Sequence, residues 1–331
     1  MKSARRGHLT SVLAALMFLA CSSTWEASGA EKIAVGTIGK NQAYLPVWVA
    51  QQKGFFKEKG LEVEAVVVRS QDIEAQALLS GSIHFSTMAA DGVIRLTEKG
   101  ADIKILASLN NAAAFSLVGR KEVKSLKDLR GATLGVSALN SGTTVLMKEI
   151  LRANGLEFPR DYKMVPVGST QDRMVALEAG TVSGVMLMIP TNYVALDKGY
   201  PELANLAHYV KEFQFTDINA TAKWARENQG KVVDFLEAIL RANRWIYENR
   251  KAAVEIAAKE IGISLEHADR AYDYYITNKI QPLDGAVPES GVQKVIESLG
   301  ELEEIKKPYP PASKYIDMSY LREAQKRVLG R

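Results

Sequence analysis

Between residues 31 and 215 the apolar and polar positions fall into one pattern that occurs twice. Lys32-Ile33-Ala34-Val35-Gly36 is an apolar run bounded by glycine and predicts a buried strand. Leu45 to Lys59 carries apolar residues at helical spacing, with its stop at Gly60. Leu61-Glu62-Val63 then leads into Ala65-Val66-Val67-Val68, a β-branched strand. A second helix, about Asp72 to Ser80, stops at Gly81, and Ile83 to Thr87 is the next strand. The second unit opens with the strand Ala132 to Val136, followed by a helix from Thr143 to Asn154 that stops at Gly155. Leu156-Glu157-Phe158 leads to a strand over Lys163 to Val167. The next helix, Gln171 to Ala179, stops at Gly180 before the strand Val182 to Leu187.

The two units also match in residues. Gly60-Leu61-Glu62 corresponds to Gly155-Leu156-Glu157, and Ala77-Leu78-Leu79-Ser80-Gly81 to Ala176-Leu177-Glu178-Ala179-Gly180. Ile33 and Gly81 are 48 residues apart, Thr133 and Gly180 47. Two similar β-α-β-α-β lobes follow, built on mostly parallel sheets with right-handed crossovers. Ligands bind outside the C-terminal ends of such strands, so two facing lobes make a cleft. Val118-Gly119-Arg120 is the expected first crossover, and Glu212 to Asn219 the return. The expected division is therefore 31–118 for the first part of lobe I, 119–215 for lobe II, and 216–331 for the return to lobe I. That return is helical over Ala222 to Tyr247, Arg250 to Lys259 and Leu265 to Tyr275. Pro308, Pro310 and Pro311 interrupt it before a last amphipathic helix, Met318 to Leu329. The helical tail is expected on the first lobe, which is otherwise the smaller.

Composition narrows the setting. Of 331 residues, 47% are hydrophobic and 24% charged, a globular balance. Lys2, Arg5, Arg6 and Glu26 supply half of the net charge of +4, and no run of five Lys or Arg exists, so a nucleic-acid role is set aside. The three basic residues, the apolar stretch Leu9 to Ala20 and Ser28-Gly29-Ala30 make residues 1–30 a signal peptide, with Glu31 the new N-terminus. Export to the periplasm or another extracytoplasmic space follows. The single cysteine, Cys21, either leaves with that segment or carries a lipid anchor. Leu19-Ala20-Cys21-Ser22-Ser23 is lipobox-like, although Phe18 fits poorly. No later stretch reaches the ~18 apolar residues of a membrane span.

Catalytic equipment is missing from the pattern. His8, His84, His208 and His267 are dispersed, and no His-x-x-x-His, Cys-x-x-Cys, Gly-x-Ser-x-Gly or phosphate-loop motif occurs. No catalytic residue, metal or cofactor is expected, and His84 reads as a hydrogen-bonded structural histidine. Binding chemistry is clearer. In Asn140-Ser141-Gly142-Thr143-Thr144, between strand and helix, Ser141 can cap the helix and Gly142 admits close approach of a ligand to backbone. The helix N-terminus then favours an anion; the plainer reading is a helix cap alone. The first lobe's equivalent loop is Gly39 to Tyr44, and Arg69-Ser70-Gln71 follows its second strand, with Arg69 either an anion partner or an exposed surface residue. Thr87-Met88 and Met188-Ile189-Pro190 end the third strands and are expected to line the cleft.

Leu45-Pro46-Val47-Trp48-Val49-Ala50, with Lys53-Gly54-Phe55-Phe56-Lys57-Glu58-Lys59-Gly60-Leu61-Glu62-Val63, resembles the nitrate/sulfonate/taurine group of ABC-transporter substrate-binding proteins, which includes receptors for thiamine precursors. Leu126 to Gly131 and Ala176-Leu177…Gly180 extend the resemblance over residues 32–215. His84 and Ser183 depart from it, standing where acidic residues are usual. The resemblance implies an α/β periplasmic-binding-protein-like II fold with a two-strand hinge and a cleft that closes on ligand. It places Gln42, Tyr44, Arg69, Ser70, Thr87, Met88, Asn110, Ser141, Gly142, Thr143, Met188 and Asp217 at the ligand. It implies a monomer that delivers its ligand to the permease subunits of an ABC importer, and the Ser141 loop and Arg69 favour a small anionic or zwitterionic ligand (sulfonate, carboxylate or thiamine-precursor-like). The membrane would be touched only through a lipid anchor. Two alternatives stay open: a thiamine-pyrimidine-synthase-like enzyme, which needs a cysteine-rich motif that this chain lacks, and a ligand sensor for a signalling partner.

Overall fold

Two five-stranded sheets carry the chain, and each is filled by one strand that arrives from the other lobe. The computed structural model describes residues 31–210 and 213–330; the expected signal segment and Cys21 lie outside the described residues. In chain order the first lobe holds β1 (Glu31–Ile38), α1 (Leu45–Gln52), β2 (Leu61–Val68), α2 (Gln71–Ser80), β3 (Phe85–Ser86), α3 (Ala90–Glu98) and β4 (Ile103–Asn110). The second lobe holds β5 (Phe115–Gly119), β6 (Thr133–Val136), α4 (Gly142–Ala153), β7 (Lys163–Pro166), α5 (Thr170–Glu178), β8 (Gly184–Met188), α6 (Thr191–Asp197) and β9 (Glu202–Asn205). The chain then returns through β10 (Thr216–Thr221) to α7 (Ala222–Glu227), α8 (Gln229–Glu248), α9 (Arg250–Ile261), α10 (Leu265–Thr277), α11 (Glu289–Glu301) and α12 (Ser319–Leu329).

The strand orders are β2-β1-β3-β10-β4 and β7-β6-β8-β5-β9. In each sheet four strands run one way, and the fourth in the order, β10 or β5, runs against them. This is the expected α/β two-lobed fold, with mixed sheets. One boundary needs correction. Phe115–Gly119, expected to close the first lobe, pairs with β8 and β9 of the second. The first crossover therefore lies between Asn110 and Phe115, not at Val118 to Arg120. An apolar run fixes that a strand is buried but not which sheet takes it. The return crossover lies between Asn205 and Thr216.

Glycines end the helices where the sequence places them: Gly81 and Gly180 both have φ near +70°, at 77° and 71°. The long helix expected over Leu45 to Lys59 is interrupted. α1 ends at Gln52, Gly54 turns at φ 75°, and a short 3-10 turn over Lys57–Lys59 ends on Gly60. That turn returns Phe56 to the core, where it stacks on Phe235 of α8 at 4.9 Å, and Phe85 of β3 stacks on the same ring at 4.1 Å. In the tail, α8 packs against α1 and α12 against α8 and β4. α10 also reaches the second lobe: Ala271 and Tyr275 bury against Ala114 and Ile189. Among the described residues no helix is long and apolar enough to cross a membrane.

Candidate functional site

The C-terminal ends of the parallel strands in both lobes face each other across one cavity. It has about 40 Å³ of space open to the centre of a water molecule, room for a few waters. The first lobe contributes Asn41, Tyr44, Gln71 and Thr87; the second contributes Ser137, Ser141, Gly142, Thr143, Thr170 and Arg173. Ile38, Ala89, Phe115, Met188 and Phe215 supply apolar wall. Gln71, Gly142 and Thr170 are the first residues of α2, α4 and α5, so three helix N-termini point their partial positive charge here.

Polar contacts fix the lining. Thr87 donates its N–H to Glu74 at 2.6 Å and its hydroxyl to the Gly36 carbonyl at 2.9 Å. The Tyr44 hydroxyl accepts the Ile38 N–H at 3.3 Å; burial and the nearby Glu74 charge push its pKa up to about 12. Ser141 donates its hydroxyl to the Ala138 carbonyl at 2.8 Å and meets Thr143 at 2.9 Å. It therefore makes no side-chain cap on α4, contrary to expectation. A Cβ at Gly142 would lie 2.8 Å from Asp91 Oδ1 and 2.9 Å from Phe215. The backbone that was expected to approach a ligand closely thus approaches the opposite lobe.

Arg173 dominates the electrostatics. It is 2% exposed and makes no ion pair among the described residues, while the charge of the adjacent Asp172 acts on it. Its Nε donates to the Met186 carbonyl at 2.8 Å, Nη1 to the Gly168 carbonyl at 2.5 Å and Nη2 to Thr170 Oγ1 at 3.1 Å. A guanidinium has five N–H donors, so one remains on each terminal nitrogen. Burial lowers its pKa to about 10, leaving it charged at neutral pH. Across the cavity, burial raises Glu74 to about 7 and holds Asp217 well above the usual carboxylate range. Both shifts remove negative charge. Asp91 is raised by burial too, but it pairs with Arg95 and accepts from Gln71 at 3.2 Å.

The model of the NMT1/THI5-like family matches residues 41–253, well over half of the chain. The chain belongs to the NMT1/THI5-like family. Putative binding protein YtlA of Bacillus subtilis is 24% identical over 226 residues, 67% of each chain. The formylaminopyrimidine-binding protein of Halalkalibacterium halodurans is 24% identical over 264 residues, 75% of this chain and 77% of that one. Among solved structures, the periplasmic nitrate-binding protein NrtA from Synechocystis PCC 6803 aligns with a TM-score of 0.77 at 15% identity, covering 91% of this chain and 89% of that one. The fold is thus that of the periplasmic solute-binding proteins.

Within this NMT1/THI5-like chain, six expected site residues line the cavity: Tyr44, Thr87, Ser141, Gly142, Thr143 and Met188. The other six do not. Arg69 is exposed, and Ser70 caps α2 by accepting the Ile73 N–H at 3.4 Å. Gln42 and Met88 are buried beside the wall. Asn110 donates to the Ala43 carbonyl at 3.0 Å, and Asp217 accepts from Gln214 at 2.7 Å. His84 has the structural role expected of it, accepting the Ala34 N–H at 2.9 Å. Arg173 was missed, although the repeat carried a signal. Ala77 and Ala176 are 99 positions apart, and the same offset pairs Glu74 with Arg173 and Thr87 with Met186. Glu74 accepts from the Thr87 backbone where Arg173 donates to the Met186 backbone, so one repeated position carries opposite charges in the two lobes. Phe115 and Phe215 had no local signal, since only the crossovers bring them to the cleft.

Proposed function

We propose that this protein is an exported, non-catalytic receptor that binds a small anionic organic solute in the interlobe cavity and delivers it to the permease of an ABC importer. The observation that carries this reading is Arg173: a buried cation that makes no ion pair among the described residues and, within them, leaves one N–H unused on each terminal nitrogen. A carboxylate or sulfonate fits such a fork bidentately. The three helix N-termini and the raised pKa values of Glu74 and Asp217 support the same sign of ligand. Phe115, Phe215 and Met188 suit an apolar body on that anion better than bare nitrate.

A thermal-shift and calorimetry screen of the purified protein tests the reading, with alkyl sulfonates, aliphatic and aromatic carboxylates, nitrate and formylaminopyrimidine as probes. An organic anion is expected to raise Tm by mass action. Arg173→Met is expected to abolish that shift, with residual Tm showing that the variant folds. If formylaminopyrimidine alone shifts Tm, and does so equally in Arg173→Met, the anionic reading is wrong.

A further inference from the structure

Behind the cavity the lobes meet along a second, charged seam. α4 of the second lobe lies against α3 of the first, and α11 packs on α3. Arg152 of α4 pairs with Glu301 at the end of α11, and with Glu149 of its own helix at 3.2 Å. Arg95 of α3 pairs with Asp91 and, through Nε at 2.5 Å, with Glu304. Lys148 of α4 belongs to the same field: burial lowers its pKa, Glu304 opposes that and Arg95 adds to it.

The seam connects to the cavity. Gln71, a lining residue, donates to Asp91 Oδ2, and Asp91 Oδ1 lies against Gly142, another lining residue. Asp91 is fully buried, and that Oδ1 has no hydrogen-bond partner among the described residues. One chain of contacts therefore runs from cavity wall through Asp91 and Arg95 to Glu304, whose charge acts on Lys148. The contacts between α4 and the first lobe form only while the lobes are together.

We propose that the seam between α4 and the α3–α11 pair is an electrostatic closure latch, with Arg152–Glu301 its interlobe ion pair, setting the closed-to-open ratio without touching the ligand. These are positioning residues. Arg152 and Glu301 side chains are 34% and 45% exposed, and a cavity of about 280 Å³ beside them admits solvent. Salt therefore screens the pair. An exposed pair shifts an equilibrium modestly, here by about two- to fivefold.

The test uses no ligand, so it reads out even if the solute is not an anion. Spin labels at Val67→Cys and Leu139→Cys, exposed positions on opposite lobes, report the interlobe distance in the full chain carrying Cys21→Ser. Arg152→Gln and Glu301→Gln are each expected to lower the closed-to-open ratio about two- to fivefold. The exchange Arg152→Glu with Glu301→Arg is expected to restore it. Raising salt from about 0.05 M to about 1 M should open the unsubstituted protein by a similar factor and leave Arg152→Gln unmoved. Unchanged thermal unfolding keeps misfolding out of the comparison. The latch is overturned if both single variants keep the original ratio, or if the unsubstituted protein ignores salt.

Discussion

Two residues set opposite demands at the cleft. Gly142 has an ordinary helical backbone, so alanine there costs the open lobe nothing and improves helix propensity. In the closed form its methyl group would press on Asp91 and Phe215. Overpacking of that kind costs about 1–3 kcal/mol, felt only on closure. Gly142→Ala should therefore weaken solute binding about five- to 150-fold without lowering unliganded Tm; calorimetry and thermal melts separate the two. Glu74 makes a pH prediction. Its pKa rises from 4.5 unfolded to about 7 folded, because burial disfavours the charge. The folded state then holds the proton more tightly, so stability falls as pH rises from about 4.5 to 7 and levels off above. The difference corresponds to about 3 kcal/mol. Glu74→Gln should flatten denaturation midpoints between pH 5 and 8, and a slope as steep as that of the unsubstituted protein would exclude this role.

At the level of elements, the Gly-Phe-Phe segment has a packing reason. Gly54 ends α1 early, and Phe56 and Phe85 both stack on Phe235. One α8 ring thus holds the 3-10 turn and β3 together. Phe235→Ala should cost about 3–5 kcal/mol, read as a lower denaturant midpoint with the cleft chemistry intact. The same elements show what the sequence could convey. Helix stops at Gly81 and Gly180 were legible because a left-handed C-terminal residue is a local requirement. The loop around Ser141 was legible because strand-to-helix turns lie at the cleft in this topology. Sheet membership of β5 was not, because its pairing with β8 is decided some 70 residues away. Arg69 lies in the loop before α2 and Arg173 in the first turn of α5, and neither position by itself assigns the side chain to the cleft. Only the repeat's register, 99 positions long, distinguishes the exposed one from the buried one.

For the whole molecule, the crossovers matter more than either lobe. β10 fills the first sheet and β5 the second, and the segments leading into them carry Phe215 and Ala114 to the interface. Hinge and cavity wall are thus the same stretches of chain, and motion of one lobe necessarily repositions Phe115 and Phe215. The same exchange has a consequence for biogenesis. The second sheet is a continuous segment, Phe115 to Asn205, complete as soon as that segment is available. The first sheet, begun earlier, keeps a gap between β3 and β4 until Thr216–Thr221 arrives, and its α8 and α12 cover arrives later still. A chain emerging from its N-terminus therefore finishes its second lobe first. The earliest strands wait longest for partners, which puts the exposed edges of β3 and β4 in the care of whatever shields nascent chains.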